Sequence, residues 1–359
     1  MTNLDTNPTT SDLAQRWTKL KNAEPKLRIR DAAAWLGVSE MELLATRLSK
    51  DADEVIRLKA PWPEIISAVS GVGSVMALTR NDSCVHERHG VYGKLSGNDH
   101  VGLIVGDDID LRIFFASWAY GFAVSEEARG HTRHSLQFFD GAGHAVHKIY
   151  ATEETDQVAF AKIINDFRHD RQSLDGALTL MPASGEKANL ADQDIDVAAL
   201  RKEWSALQDT HDFFGLLRRH KVGREQAFRL AGPDYASPVA ANAVREMLEI
   251  AAKDDLPIMV FVGNRGVIQI HTGPVKRLVA TGPWFNVLDP MFNLHLREDA
   301  IASAWVVRKP TQDGVVTSLE LFDKTGELIV SFFGKRKPGI PEMTDWQALA
   351  ESLVARRAA

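Results

Sequence analysis

The sequence lacks several features that whole classes of protein need. Its 359 residues include one cysteine, Cys84, so an internal disulfide, a thiolate metal cluster and the CxxCH motif of c-type cytochromes are excluded. The segment MTNLDTNPTTSDLAQRW has neither a basic region nor an apolar core, which predicts no signal peptide. No apolar run reaches the roughly 18 residues of a membrane span. These absences predict a cytoplasmic protein that is not membrane-embedded.

The chain also lacks an excess of positive charge. It has 42 basic and 48 acidic residues and a net charge of −6, which argues against a general nucleic-acid binder. Hydrophobic residues make up 45% of the chain, and its length suits about two globular domains.

Residues 13–50 have the spacing of helices, and AAAWLGVSEMELL has the pattern of a helix-turn-helix with a turn at Gly37 and an N-cap at Ser39. A DNA-reading helix after Ser39 should offer basic or amide side chains, but this one offers Glu40 and Glu42. We therefore interpret the segment as a packing helix pair and keep a DNA-binding regulator as a distant alternative.

The pattern changes along the N-terminal half. A helix is predicted over 64–78, followed by short alternating segments that predict an antiparallel sheet with helices on one face. A second helix is predicted over 152–170, and the polar segment 181–196 is typical of a linker.

The second half of the chain repeats the first. Arg112 and His295 are 183 residues apart, and the same offset pairs Gly90 with Gly273 and Tyr150 with Phe333. The repeat predicts an α+β fold built by tandem duplication, each half a large antiparallel sheet covered by helices. The predicted boundaries are 1–180 for the N-terminal copy, 181–199 for the linker and 200–359 for the C-terminal copy. A ligand cleft is expected between or at the halves.

The segment WSALQDTHDFFGLLRRHKVGREQAFRLAG opens the C-terminal copy. His211 lies near the start of a predicted helix, with Phe214 and Leu217–Arg218 along one face. An imidazole beside an aromatic ring and basic groups suits a planar, carboxylate-bearing metal macrocycle. The alternative is an ordinary half-buried core histidine. The N-terminal copy has Leu27 at the matching position and cannot supply the same ligand.

Four segments together resemble one known family. THDFFGLLRRHKVGREQAFRLAG, IMVFVGNRGVIQIHTG, WVVRKPTQDGVVTSLELFD and DLRIFFASWA are similar to the HemS/HmuS/ChuS family of hemin-degrading and haem-trafficking proteins. The resemblance spans nearly the whole chain. It implies non-covalent binding of haem b, with iron acquisition as the biological role.

The resemblance also implies roles for individual residues. His211 falls on the family's proximal haem ligand and Arg112 on its distal arginine. The remaining matches are pocket residues Phe114 and Phe261, propionate-side residues Arg224, Lys309 and Arg336, and His86 as ligand of a possible second haem. Phe333 and Lys335 depart from the Tyr and Gln of the family's Tyr-Gly-Gln-Arg, although Phe333 remains a candidate pocket residue for haem. Gly215 replaces a proline that often follows the FF pair.

From the residues alone, other interpretations of these positions stay open. Arg112 is two residues from Asp110 in an alternating strand and could pair with it. His86 could be a surface histidine, Lys309 a solvated turn residue, and Arg336 part of an exposed basic run.

Two functions share the same predicted pocket. A haem-degrading enzyme would need an external electron donor, because the chain has no nucleotide-binding fingerprint. A haem chaperone would instead receive haem from an inner-membrane importer and deliver it to a separate haem oxygenase. Degradation is favoured slightly, because His220 is the only other histidine near His211 that could exchange as ligand. Product, reductase, haem number and oligomeric state stay open.

Overall fold

The computed structural model describes residues 10–49, 53–128, 130–173, 189–337 and 339–358. The N-terminal copy runs α1 (Thr10–Ala23), α2 (Ile29–Leu36), α3 (Glu40–Ala45), β1 (Val55–Leu58), α4 (Trp62–Val69), β2 (Gly73–Arg80), β3 (Cys84–Val91), β4 (Ser96–Gly97), β5 (Val101–Ile104), β6 (Asp110–Phe114), a 3₁₀ turn (Phe115–Ser117), β7 (Tyr120–Ala128), β8 (His131–Phe139), β9 (Ala145–Thr155) and α5 (Gln157–Asp166).

The C-terminal copy repeats this order. It runs from a 3₁₀ turn (Asp192–Asp194) through α6 (Val197–Ser205), α7 (Asp212–His220), α8 (Arg224–Ala231), β10 (Ala236–Val239), α9 (Ala243–Lys253), β11 (Ile258–Gly263), β12 (Val267–Gly273), β13 (Leu278–Thr281), β14 (Trp284–Leu288), β15 (Phe292–Arg297), a 3₁₀ turn (Glu298–Ala300), β16 (Ser303–Thr311), β17 (Gly314–Phe322) and β18 (Leu328–Gly334) to α10 (Thr344–Ala358).

The strands form two nine-stranded antiparallel sheets, and each sheet contains strands of both copies. The first sheet has the order β1-β7-β8-β9-β2-β3-β15-β14-β13, and the second has the order β10-β16-β17-β18-β11-β12-β6-β5-β4. Each copy therefore builds six strands of one sheet and completes the other sheet with three. The predicted α+β duplication is confirmed, while the exchange of strands was not predicted.

The chain crosses between the sheets at matching glycines. Gly90 has a φ of 153° and Gly273 a φ of 154°, and residues with a side chain rarely adopt these values. A Cβ on Gly90 would also lie 2.2 Å from the Cβ of Asp108. The repeated glycine thus marks the point in each copy where the chain leaves one sheet for the other.

A pair of asparagines ties the copies together. Asn81, in the turn between β2 and β3, donates to the carbonyls of Gly263 and Ile329 in the other copy. Asn264, which is 183 residues later in the turn between β11 and β12, donates to the carbonyls of Arg80 and Val146. The VGNRG motif, which contains Asn264, therefore contributes to a set of four hydrogen bonds between the copies. We call this set, made by Asn81 and Asn264, the asparagine lock.

The sheets pack face to face, and helices cover part of each outer face. Helices α9 and α10 share a core with strands of both sheets, and α4 and α5 share another. Outside this sandwich, α3 packs on the first sheet and α6–α8 pack on the second.

Two predicted helices were too long. Helix α4 ends at Val69 and β2 begins at Gly73, because Gly71 and Gly73 interrupt a run of small apolar residues that fits either periodicity. Residues 152–155 continue β9, and α5 starts only after Asp156, whose carboxylate caps it.

The helix pair around Gly37 packs against the protein. Gly37 adopts a left-handed φ of 71°, and Ser39 and Glu42 form a capping box. Glu40 is buried and bonded to Lys148, which agrees with the packing interpretation. Residues 181–188 of the predicted linker lie outside the described residues, so its boundaries stay predictions. No described helix is long and apolar enough to cross a membrane.

Candidate functional site

Helices α6–α8 cover only one end of the second sheet's outer face. They pack on β16 and β17 through a cluster that includes Trp204, Phe213 and Phe322. The strand pairings carry the same face onto β18, β11, β12 and β6. The outward side chains there are partly exposed and mostly apolar, among them Phe333, Met259, Phe261, Ile268 and Phe114. We call this surface the open face.

Aromatic rings form its most hydrophobic part. The centroids of Phe261 and Phe333 lie 4.9 Å apart with an interplanar angle of 62°, an edge-to-face arrangement that leaves broad apolar surface toward solvent. All three phenylalanines assigned to the pocket lie on this face. It offers a site for a flat apolar ligand.

His211 stands at the start of α7. Its side chain is 84% exposed, so the interpretation as a core histidine is wrong. The Asp209 carboxylate accepts hydrogen bonds from its main-chain N–H at 2.8 Å and from Nδ1 at 2.6 Å. Among the described residues no hydrogen bond occupies Nε2. An ionised carboxylate only accepts hydrogen bonds, so this contact favours the tautomer that carries its proton on Nδ1 and has the Nε2 lone pair available to a metal.

The rest of α7 explains this exposure. Phe213, Leu216 and Leu217 are buried against the other helices, and these contacts anchor the helix on the sheet. Phe214 is 65% exposed with the Arg218 guanidinium 6.0 Å from its ring centroid. The sequence predicted that His211, Phe214 and Leu217–Arg218 share one face of the helix. In the structure Leu217 is buried, whereas His211 and Phe214 are exposed.

Arg112 lies on the open face although it belongs to the N-terminal copy. Its strand, β6, pairs with β12, and Arg112 stands opposite Ile268. Three strand spacings, about 14 Å, separate β6 from β18. Without the exchange of strands, this guanidinium would lie in the other sheet. The exchange therefore places Arg112 on the same outer face of the second sheet as α7, the helix that begins directly after His211.

Arg112 makes an ion pair with Asp110, as one interpretation anticipated. Its side chain stays 31% exposed, so the group remains accessible from the open face. Burial raises the pKa of Asp110, although the Arg112 guanidinium acts to lower it. The pair does not preclude a role toward a ligand, because a guanidinium has five N–H donors.

Lys309 and Arg224 both form ion pairs with the buried Glu320. Glu320 is fully buried and bonds Lys309 Nζ at 2.7 Å and Arg224 Nε at 2.6 Å. Lys309 is 2% exposed, so the prediction of a solvated turn lysine is wrong. Burial lowers its pKa to about 8. The pKa of Glu320 is lowered despite its burial, because the two cations outweigh the loss of solvent.

This cluster supports α7 from below. Lys309 Nζ lies 4.8 Å and the Arg224 guanidinium 5.4 Å from the ring centroid of Phe213. Arg224, which is partly exposed, can still reach a carboxylate at the edge of the open face. Lys309 could do so only by leaving Glu320. Their propionate roles stay predictions.

Arg336 is also less exposed than a basic run predicts. Its side chain is largely buried and lies 3.8 Å from an oxygen of Asp313. The pKa of Asp209 is lowered first by the hydrogen bond from the His211 main chain, and the charge of Arg336 contributes. Arg336 therefore lies close enough to Asp209 for its charge to act on that carboxylate, two residues after the end of β18, the strand that carries Phe333.

His86 is a core residue and not a surface histidine. It is completely buried between the sheets, with its ring centroid 4.9 Å from that of Phe292, so the surface interpretation is wrong. A macrocycle could reach it only if the sandwich opened, which argues against the second-haem role. His86, His271 and Gln269 all contain buried polar atoms without a hydrogen-bond partner.

These buried imidazoles predict acid sensitivity. Burial lowers the pKa of His86, and it lowers those of His147 and His271 to about 3. The unfolded chain, with pKa values near 6.5, binds more protons below that pH. The free energy of unfolding should therefore fall as pH drops from about 6.5 toward 3, by about 1.4 kcal/mol per pH unit per imidazole.

Urea unfolding between about pH 7 and pH 5 tests this dependence. His271→Phe removes one titrating group while keeping a ring against Phe292, which His271 stacks at 3.8 Å. The free energy of unfolding of the variant should fall less steeply with falling pH than that of the wild type. The difference in slope should correspond to the uptake of one proton fewer on unfolding. Equal slopes would contradict the expectation.

Two residues of the site were not predicted from the sequence. Asp209 lies two residues before His211, and this spacing was the available signal. Glu320 was read as part of the motif TSLELF, whose alternation does mark it as sharing a face with Ser318. In the described part of the chain no group of three or more His, Cys, Asp or Glu could hold a bare metal ion.

Comparison with known proteins defines the family. Residues 37–167 and 221–353 each match the haemin-degrading HemS.ChuX domain. The chain belongs to this HemS family. It is 41% identical over 345 residues to the hemin transport protein HmuS of Yersinia pestis, covering 96% of this chain and 98% of HmuS.

Two solved structures of relatives share the whole architecture. The heme-binding protein PhuS of Pseudomonas aeruginosa, in its holo form, has a TM-score of 0.92 and 47% identity, covering 96% of this chain and 99% of PhuS. The heme-degrading enzyme ChuS of Escherichia coli O157:H7 has a TM-score of 0.89 and 38% identity, with the same coverage. This HemS-family chain is thus similar both to a protein described by haem binding and to one described by haem degradation.

Proposed function

We propose that this chain binds one haem on the open face and opens its ring to release iron. His211 Nε2 would bind the iron from the side of α7, and Arg112 would face the opposite side. The observation that supports the proposal is that α7, which begins directly after His211, and β6, which carries Arg112 of the other copy, lie on the same outer face of the second sheet, where the uncovered side chains are mostly apolar and partly exposed.

The open face suits a porphyrin by its chemistry. Phe261 and Phe333 supply apolar surface, and Arg224 and Arg336 lie at the edge next to α7, where propionates could be met by cations. The Asp209 hydrogen bond occupies Nδ1 and leaves Nε2 of the exposed His211 ring without a hydrogen-bond partner among the described residues. When bound, the haem supplies the redox chemistry.

One haem is expected because the first sheet lacks the same surface. At the 183-residue offset, Phe261 corresponds to Leu78, Ile270 to Glu87 and Arg112 to His295. Leu27 stands where the other copy has His211. A face that carries a carboxylate and has no imidazole at its helix is a poor site for a second macrocycle.

Ring opening requires an oxidant and electrons that the chain does not contain. We propose dioxygen as oxidant, an external reductase as electron source and solvent as proton source. Cleavage of a methine-bridge carbon–carbon bond would leave oxygen on the opened tetrapyrrole, the remaining oxygen would leave as water, and ferrous iron would be released. Cytoplasmic location fits such a reductase. Arg112 would donate hydrogen bonds to the oxidant bound opposite His211 and stabilise negative charge that develops there.

A haem chaperone remains the second candidate, because the exposure of His211 also suits transfer of haem to another protein. Haem titration followed by addition of an electron donor, with catalase present, separates the two. Decay of the Soret band with release of iron supports the enzyme. A stable complex that yields haem only to a haem oxygenase supports the chaperone and would overturn the proposal.

Arg112→Ala tests the distal role. We expect haem binding to be retained, because the aromatic surface and His211 are unchanged, while ring opening slows about 10²- to 10³-fold, as for loss of one charge-stabilising donor. The rate of Soret decay measures the effect. Arg297→Ala is a matched control, since Arg297 lies at the end of β15 in the first sheet. Equal decay in both variants would exclude Arg112 from the reaction.

A further inference from the structure

The Asp209 carboxylate is attached to His211 by two hydrogen bonds. The main-chain N–H of His211 and its Nδ1 both lie within 2.8 Å of the same oxygen, Oδ1. The first bond fixes the carboxylate relative to the backbone, and the second fixes the ring relative to the carboxylate. The direction of Nε2 is therefore set by a residue that would not touch the ligand.

The loop that carries Asp209 is itself anchored. The main-chain N–H of Gln312, in the turn between β16 and β17, donates to the Gln208 carbonyl at 3.0 Å. The Asp209 carbonyl accepts from Asp212 N, the first residue of α7. Phe213 then fixes the helix over the buried Glu320 cluster. These contacts place the carboxylate before any ligand arrives.

Carboxylates behind metal-binding imidazoles have a known physical effect. By accepting the Nδ1 proton they select the tautomer with a free Nε2, and they make that nitrogen more basic. A more basic ligand stabilises ferric iron over ferrous iron, so it lowers the reduction potential.

A second imidazole–carboxylate pair on α7, His220 with Glu203, can be compared with the pair of His211 and Asp209. His220, at the other end of α7, bonds Glu203 Oε2 through Nε2 at 2.7 Å, so its outer nitrogen is the one already occupied. His220 is also largely buried, whereas His211 is not. Of these two carboxylate–imidazole pairs at the ends of α7, the pair with Asp209 is the one in which the carboxylate takes Nδ1 and leaves Nε2 without a hydrogen bond among the described residues.

We propose that Asp209 is a positioning residue that holds His211 in the Nδ1–H tautomer and tunes the potential of the haem iron that it binds. The claim about the iron potential rests on the proposed function. The claim about the His211 tautomer concerns the apoprotein and does not depend on haem.

The tautomer is tested without haem. Nitrogen-15 NMR of the apoprotein at neutral pH distinguishes the two protonated nitrogens of His211. The wild type should show Nδ1–H, and Asp209→Ala should shift the ring toward Nε2–H. Asp209→Asn, whose amide oxygen can still accept, should lie between them. Glu203→Gln, the matched control, removes the α6 carboxylate that bonds His220 of α7 and should leave His211 unchanged. An unchanged tautomer in Asp209→Ala would overturn the inference.

The tuning is tested on the haem complex. Asp209→Ala should lower haem affinity about 10- to 100-fold, raise the reduction potential and lower the iron–histidine stretching frequency in resonance Raman spectra. Asp209→Asn should recover part of each change, and Glu203→Gln none. If the potential and frequency stay at wild-type values, the tuning role fails. If His211→Ala leaves the wild-type spectrum intact, the ligand assignment fails instead, and the NMR result still decides the tautomer.

Discussion

His211→Ala is expected to remove the axial ligand of the bound haem. The wild type should take up one haem with a single Soret band, whereas the variant should bind at least about tenfold more weakly, a loss of about 1.4 kcal/mol, with a shifted band. The reason is that His211, at the start of the helix packed beside the open face, is 84% exposed and its Nε2 has no hydrogen-bond partner among the described residues. Absorbance titration of both proteins measures the change.

Added imidazole sharpens this test. The small ligand should enter the space left by the truncated side chain and restore the wild-type band, since the aromatic surface is unaltered. His220→Ala is the control, because His220 is held by Glu203 and should not contribute to the spectrum. An unshifted band in His211→Ala, or an equal effect of His220→Ala, would remove the basis of the proposed site.

Glu320→Gln is expected to destabilise the fold by about 3–5 kcal/mol, the usual range for removing one member of a buried ion pair. Glu320 is fully buried and neutralises both Lys309 and Arg224. With a neutral amide in its place, two cations would face each other beneath Phe213 and α7. Urea unfolding at neutral pH measures the loss.

The pH dependence identifies the cause. The pKa of Lys309 is already lowered to about 8 by burial, and without Glu320 it should fall further. Lys309 is then neutral over a wider range, so the gap between variant and wild type should narrow as pH rises. Glu203→Gln, which removes a partly exposed partner of Arg219 and His220, should cost about 0–1 kcal/mol. A constant gap across pH would argue against an unpaired buried charge.

Many local features follow from the sequence. The capping box at Ser39 depends on residues three positions apart, and the alternation of SLELF fixes which side chains of β17 share a face. The 183-residue offset revealed the duplication without any structure. His211 and Arg112 were found because their surrounding motifs resemble those of one family.

Other features were decided only by the tertiary structure. The alternation in DLRIF is the same whichever sheet β6 joins, so sequence could not reveal that Arg112 crosses to the second sheet. Lys309 looked solvated because its partner, Glu320, meets it only across a hairpin. The asparagine lock looked like a family motif rather than four contacts between copies.

The division has one physical reason. Periodicity, capping and turn chemistry act between neighbours along the chain, and the sequence determines them directly. Strand exchange, the burial of His86 and the pairing of Lys309 depend on which distant segment covers each surface. That choice is made by the packing of two whole sheets. The sequence by itself determined the repeated unit and its candidate ligand, and only the interlocked fold decided which side chains surround that ligand.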